Sequence, residues 1–274
     1  MAETIRAALA RAAGELAGWS ASARLDAELL MAAALGVERD ALLLGRLDDP
    51  SPTGFEILLD RRRRHEPVAY IVGQRDFWTI TLEVGPGVLI PRPDSETLID
   101  AAVDHFGSPG PATILDLGTG SGALLLAALA EWPGARGVGV DLSAAALAIA
   151  TRNAERLGLA ARAELRAGDW GQGIEGVFDL ILCNPPYIES DAMLAPEVRE
   201  YEPASALFAG PDGLDDYRRL APEIARLLAP TGLAAIEIGW TQAAAVSDLF
   251  AGQGLVASVR QDLGGRDRAI LVRH

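Results

Sequence analysis

From residue 113 onward, short apolar runs alternate with stretches of helical spacing. "TILDL" leads into "SGALLLAALAEW" and "RGVGVDL" into "SAAALAIATRNAERLG"; then come "AELRAGD", "FDLILCN", a helical stretch near 215–229, "LAAIEIG", a helix from about 242, and closing strands near 255–260 and 268–272. Strands separated by helices have room for crossover connections, so the pattern predicts an α/β domain of Rossmann-like type, a mostly parallel sheet with helices on both faces. In such a sheet ligands gather beyond the carboxyl ends of the strands, so the residues that close each apolar run are the ones placed for chemistry.

After the first run comes "LDLGTGSGA". A Gly-rich loop has meaning when it leaves a strand and opens a helix, and this one does both. Gly118, Gly120 and Gly122 can take positive φ and let a ligand approach the backbone. Asp141 ends the next strand in "GVGVDLS", placed to accept both hydroxyls of a ribose, each such bond being worth on the order of 1.5–3 kcal/mol. The loop therefore binds a nucleoside cofactor. Gly118, Gly120 and Ala123 also satisfy the dinucleotide pattern, so NAD stands beside S-adenosylmethionine; Asp116 favours the latter, because it can receive an ammonium group and would repel a pyrophosphate. "AGDW" ends the third run, where Asp169 can accept from an adenine amino group and Trp170 can lie against the ring, the plainer reading being a helix cap and a core tryptophan.

The fourth run, "FDLILC", ends in Asn184, Pro185, Pro186 and Tyr187. Two consecutive prolines fix two φ angles and bias their predecessors toward extended backbone, so the chain is stiff where it meets the cofactor. A planar amide or aromatic amino nitrogen is a weak nucleophile and must be aimed. The Asn184 side-chain oxygen and the Pro185 carbonyl can each accept one N–H, turning the nitrogen toward a methyl donor and stabilising developing positive charge, while Tyr187 packs on the flat substrate. Direct transfer of this kind requires neither a metal nor a covalent enzyme intermediate. Cys183, the single cysteine, reads as packing at the end of a buried strand, and His65, His105 and His274 lie outside the proposed site.

Residues 1–73 carry apolar positions at helical spacing (Ile5, Leu9, Ala12, Leu16; Leu25, Leu29, Leu30, Ala33; Phe55, Leu58, Leu59) and read as a small all-α bundle. Residues 74–92 alternate around Gly85, Pro86 and Gly87 as a β-hairpin linker, and 93–274 form the cofactor-binding domain. The Arg61–Arg64 run suits either a basic docking site or the carboxyl end of a helix, and the latter is the simpler account. Residues 1–75 hold ten Arg against eleven acidic residues, whereas 76–274 hold fourteen against twenty-seven. That acidity weighs against a nucleic-acid substrate. No long uncharged apolar run is present and the first residues are too charged for a signal core, so the expectation is a cytoplasmic protein without membrane contact, taken as a monomer.

The tetrapeptide at 184–187 resembles the signature shared by adenine-N6 DNA methyltransferases and protein glutamine methyltransferases. The wider chain is similar to the PrmC or HemK family of protein glutamine-N(5) methyltransferases, through "RRRRHEPVAYIVGQRDFW", "LIPRPDSETL", "ILDLGTGSGA", "NPPYI", "YEPASAL", "GLDDYRR", "EIGW" and "DLGGRDR" in that order. The resemblance implies a class I methyltransferase domain that converts S-adenosylmethionine to S-adenosylhomocysteine and methylates the glutamine of a Gly-Gly-Gln loop in class-one peptide chain release factors. It implies that Gly118, Thr119, Gly120, Ser121, Gly122, Asp141, Trp170 and Asn184 contact the cofactor, that Asn184, Pro185, Pro186 and Tyr187 hold the glutamine, and that the helical N-terminal domain meets the release factor. A ribosomal-protein glutamine, or an adenine, is the alternative acceptor within the same chemistry.

Overall fold

The computed structural model describes residues 3–274. Five helices come first, α1 Ile5–Leu16, α2 Ala23–Leu35, α3 Arg39–Gly45, α4 Thr53–Arg63 and α5 Val68–Val72, followed by strands β1 Gln74–Phe77 and β2 Ile80–Glu83. The larger part then runs α6 Glu96–Phe106, β3 Thr113–Leu117, α7 Ala123–Glu131, β4 Arg136–Asp141, α8 Ala144–Arg156, β5 Ala163–Ala167, β6 Phe178–Cys183, α9 Pro196–Tyr201, α10 Asp215–Leu227, β7 Leu228–Glu237, α11 Ala243–Ala251, β8 Val256–Gln261 and β9 Asp267–Arg273. Two compact units result among the described residues: 3–74 with 195–201, and 75–194 with 202–274.

In the first unit, Thr4 caps α1 by accepting from the Ala7 amide, and Ile5, Leu9, Ala12 and Leu16 are fully buried against Leu30, Met31, Leu42, Phe55 and Leu59. The Arg61–Arg64 segment closes α4, and three of its four charges are paired within the unit. Arg61 pairs with Glu66, Arg62 with Asp26, and Arg63 with Glu15 and Asp60, which fits a helix carboxyl end rather than a free basic patch. Helix α9 belongs to this unit through an ion pair from Arg62 to Glu197 at 2.7 Å and a hydrogen bond from the Tyr201 phenol to the Arg64 carbonyl at 2.7 Å. The sequence reading places residues 195–201 in the second domain; partners that far apart in the chain leave no local signal.

In the second unit a seven-stranded sheet has the order β5-β4-β3-β6-β7-β9-β8, with all pairs parallel except those of β9. The chain moves outward from β3 through β4 to β5, then returns to the other side of β3 as β6. Its direction therefore reverses between β3 and β6, and the crevice above that reversal is where an open α/β sheet binds ligands. Strands β3 and β6 are buried on both faces, so they read as continuous apolar runs. Leu117 and Cys183 are register partners, and the glycine loop and the Asn184 segment consequently leave the sheet side by side.

The hairpin departs from expectation in its turn. It reverses at Trp78 and Thr79, and Gly85–Gly87 lies beyond its second strand. Trp78 holds φ at +54°, with its amide donating to Glu96 at 2.9 Å and its indole to Glu131 at 3.0 Å. These side-chain acceptors, distant in sequence, stabilise a left-handed residue that the local pattern does not announce. No helix among the described residues is long and apolar enough to cross a membrane.

Candidate active site

A cavity of about 490 Å³ opens at the carboxyl ends of β3, β4 and β6, walled by the glycine loop, Asp141, Trp170 and Asn184. The loop is built as its glycines suggest: φ is +74° at Gly118, +56° at Gly120 and +86° at Gly122. At Gly118 a side chain would also meet the Trp170 ring, since an added Cβ lies 3.0 Å from it. The Gly118 and Thr119 amides donate to the Val140 carbonyl at 2.9 Å each, tying the loop to the end of β4.

Asp116 is placed differently from expectation. It is fully buried beneath the loop, outside the cavity wall, with Oδ2 accepting from the Thr119 hydroxyl at 2.6 Å and the Leu125 amide at 3.2 Å. It therefore fastens the loop to the first turn of α7. Burial pushes its carboxyl up to about 7, against the opposing hydrogen bonds, and Oδ1 has no partner.

Asp141 lines the cavity as anticipated. Its Oδ2 accepts from the Gly120 amide and its Oδ1 from the Ser143 amide, both at 2.8 Å. Each carboxylate oxygen accepts more than one hydrogen bond, so one acceptor direction per oxygen remains for a ligand hydroxyl. Thr119 and Ser121 lie in the wall, both buried.

On the far side Trp170, at φ +52°, turns its ring to the cavity. Asp169 also borders it, with its Oδ2 accepting from Arg219 at 2.6 Å and Gln172 at 3.3 Å. Arg219 and Asp216, both from α10, complete this wall; Asp216 is held above the ordinary carboxylate range chiefly by burial. Sequence reasoning missed both. They stand in "GLDDYRR", and only the packing of α10 beside β7 and α11 brings that helix to the loop.

The Asn184 segment is rigid by construction. Asn184 and Pro186 border the cavity, Pro185 is buried and Tyr187 partly so. Gln242 at the start of α11 donates to the Tyr187 carbonyl at 3.1 Å and the Gly213 carbonyl at 3.3 Å, while its own oxygen accepts from the Gly239 amide at 3.0 Å. Asn184 Nδ2 donates to Ser95 Oγ at 3.1 Å, which leaves the side-chain oxygen as the acceptor. The Tyr187 phenol donates to Glu237 at 3.2 Å, and burial with that neighbouring carboxylate holds it neutral. Ser95, Glu237 and Gln242 were likewise invisible to local pattern.

Residues 111–262 match the family model of a methyltransferase domain, and residues 7–73 match that of the PrmC N-terminal domain. The release factor glutamine methyltransferase of Caulobacter vibrioides is 46% identical over 255 residues, covering 90% of this chain and 88% of that one. The chain belongs to the release factor glutamine methyltransferases. A second member, from Cereibacter sphaeroides, is 46% identical over 280 residues, covering 99% of this chain and 98% of its own. A solved ribosomal protein L11 methylase from Lactobacillus delbrueckii subsp. bulgaricus shares the fold, with a TM-score of 0.51 and 21% identity over 70% of this chain and 86% of that one. As a member of the family the chain is a methyltransferase, and its methyl donor is S-adenosylmethionine. The cavity fits that donor: it has a carboxylate with open acceptor positions, a tryptophan ring and a glycine loop that leaves backbone accessible.

Proposed function

We propose that the chain methylates the side-chain amide nitrogen of the glutamine in the Gly-Gly-Gln loop of class-one release factors. The observation that carries this reading is Asn184, whose NH2 donates to Ser95 and whose oxygen is thereby left to accept from a substrate N–H at the cavity. When bound, S-adenosylmethionine supplies an electrophilic methyl group on a sulfonium. Every other requirement falls to the chain. Asn184 Oδ1 and the Pro185 carbonyl accept hydrogen bonds from the two amide N–H groups, the prolines keep that carbonyl from moving, and Tyr187 lies against the planar group. The amide loses its extra proton after transfer, to solvent or to the same acceptors.

Asp141 and Trp170 hold the nucleoside half, and Gly118, Thr119, Gly120, Ser121 and Gly122 approach the donor through backbone. Asp141→Ala is expected to weaken S-adenosylhomocysteine binding by about tenfold or more, the scale of losing a hydrogen bond to a charged group, with the fold intact. Titration calorimetry checks this, and an unchanged Kd removes Asp141 from the ribose.

The helical unit, residues 1–73, is proposed to recognise the release factor, supported by its match to the PrmC N-terminal domain. We take the monomer as the working unit, acting in the cytoplasm without membrane or direct nucleic-acid contact; the excess of acidic residues beyond position 75 favours a protein acceptor. Labelled S-adenosylmethionine incubated with a release factor tests the assignment. Label is expected on the wild-type factor, less on a short Gly-Gly-Gln peptide, and none on a factor carrying Gln→Ala in the motif. Label persisting on that altered factor overturns it.

A further inference from the structure

Beside Asn184 a polar chain that the roles above leave unexplained runs from Ser95 in the cavity wall to Glu237 in the interior. Asn184 Nδ2 donates to Ser95 Oγ, the Tyr187 phenol donates to Glu237 Oε1, and the Ser95 hydroxyl stands beside the same carboxylate, where with the phenol it favours the ionised form. Glu237 is the last residue of β7, is 1% exposed and does not reach the cavity wall; its Oε2 is buried without a partner, an acceptor left open.

The valences of these groups decide which way the Asn184 amide points. An ionised carboxylate only accepts, a hydroxyl has one proton to give, and a primary amide donates from nitrogen and accepts at oxygen. Because Asn184 Nδ2 donates to Ser95 Oγ, the Ser95 oxygen is the acceptor in that contact and its proton is free for the Glu237 carboxylate beside it. The amide oxygen then faces the substrate. Turning the amide over would demand the same proton from Ser95 and strip a buried carboxylate of a donor, a cost of at least ~1–3 kcal/mol.

We propose that Glu237 is a positioning residue for methyl transfer: acting through Ser95, its carboxylate holds the Asn184 oxygen toward the substrate amide, and through the Tyr187 phenol it holds the ring that packs there. This rests on the reading of Asn184 as the amide acceptor.

The arrangement is sensitive to protonation. Arg268 on β9 attracts the Glu237 charge, and Asp94, ion-paired to Arg268 at 3.0 Å, opposes it. Tyr187, Tyr217 and Cys183, which face it from the loop after β6, from α10 and from β6, are all held neutral by burial. Burial raises Glu237 to about 7, against Ser95, Arg268 and Tyr187. Below that pH the carboxyl carries a proton of its own, which it can give to Ser95; the serine proton is then free to turn to Asn184 Oδ1 and reverse the amide. Activity therefore falls as pH drops through about 7. Gln at this position offers NH2 in place of that proton at every pH.

The test uses the full-length chain with Glu237→Gln, Ser95→Ala and the double variant, measuring kcat for release-factor methylation on both sides of pH 7, with S-adenosylhomocysteine affinity by calorimetry as the check on folding. Glu237→Gln is expected to lower kcat at pH 8 by about tenfold to a hundredfold, the scale of an outer-shell partner. Product affinity should stay unchanged, and the part of the acid limb contributed by Glu237 should be lost. Ser95→Ala should lose a comparable factor, and the double variant no more than the worse single one, because all three cut one chain. A Glu237→Gln enzyme with wild-type kcat and its acid limb, or a double variant whose loss is the product of the two, overturns the proposal. Should Glu237→Gln fail to bind the product, Ser95→Ala decides alone, and wild-type kcat in that variant is the contrary result. A wild-type chain inactive on the release factor defeats the substrate reading and this inference with it, whereas an active wild type beside an unaffected Glu237→Gln defeats this inference only.

Discussion

Replacing Asn184 with Ala is expected to slow methyl transfer by about 10²–10³-fold while changing cofactor affinity far less. The magnitude is that of one preorganised polar contact made to charge that develops in the transition state. Removing the side chain leaves the amide nitrogen with a single aiming partner, the Pro185 carbonyl, and strips Ser95 of the group it receives at 3.1 Å. The prolines still stiffen the segment, and Gln242 still clamps the Tyr187 carbonyl, so the cavity keeps its shape. The loss should therefore appear in kcat, with product affinity by calorimetry near that of the wild type. A variant that turns over normally would show that another group orients the amide.

Arg62→Ala is expected to have the largest effect on stability. The Arg62 side chain is 4% exposed; it meets Asp26 at 2.8 Å and Glu197 at 2.7 Å, donates to the Glu66 carbonyl at 3.1 Å, and lies 4.5 Å from the centre of the Trp19 ring. Asp26 is equally buried and takes two further hydrogen bonds, from the Ser20 and Ser22 hydroxyls at 2.8 Å each. Without the guanidinium, Asp26 is a buried carboxylate held by hydroxyls alone. Breaking a buried pair from one side costs about 3–5 kcal/mol, a large fraction of the roughly 5–15 kcal/mol that holds a domain folded. Urea denaturation followed by circular dichroism should show an early transition in the helical unit. The same change also frees α9 from its ion pair, so residues 195–201 should become more sensitive to protease. A denaturation midpoint equal to the wild type's would mean that the charges are better hydrated than their burial implies.

The architecture of the larger unit could be read from the chain because a parallel sheet buries both faces of its strands. "TILDL" and "FDLILC" are continuous apolar runs for that reason, and the helices between them declare themselves by spacing and by caps such as Ser143. The glycine loop and Asn184 were legible for a second reason: their chemistry is concentrated in a few consecutive residues at the end of a strand. What escaped was held in place by partners far along the chain. Ser95 lies 89 residues from the asparagine it receives, and Glu237 lies 50 residues from the tyrosine it accepts from, so no window of sequence contains either pair. The internal role of Asp116 was not legible because residue type and position announce a carboxylate but not its partners; its Oδ2 is bound by Thr119 and the Leu125 amide. The hairpin turn at Trp78 was missed because its left-handed backbone is supported by Glu96 and Glu131, while the obvious glycines stand a few residues later.

The most direct test of the mechanism is tandem mass spectrometry of a class-one release factor after incubation with the enzyme and S-adenosylmethionine. One added methyl group on the side-chain amide nitrogen of the Gly-Gly-Gln glutamine, absent when the enzyme carries Asn184→Ala, is the expected result. A methyl group at any other atom of the factor, or full modification by the Asn184→Ala enzyme, would contradict it.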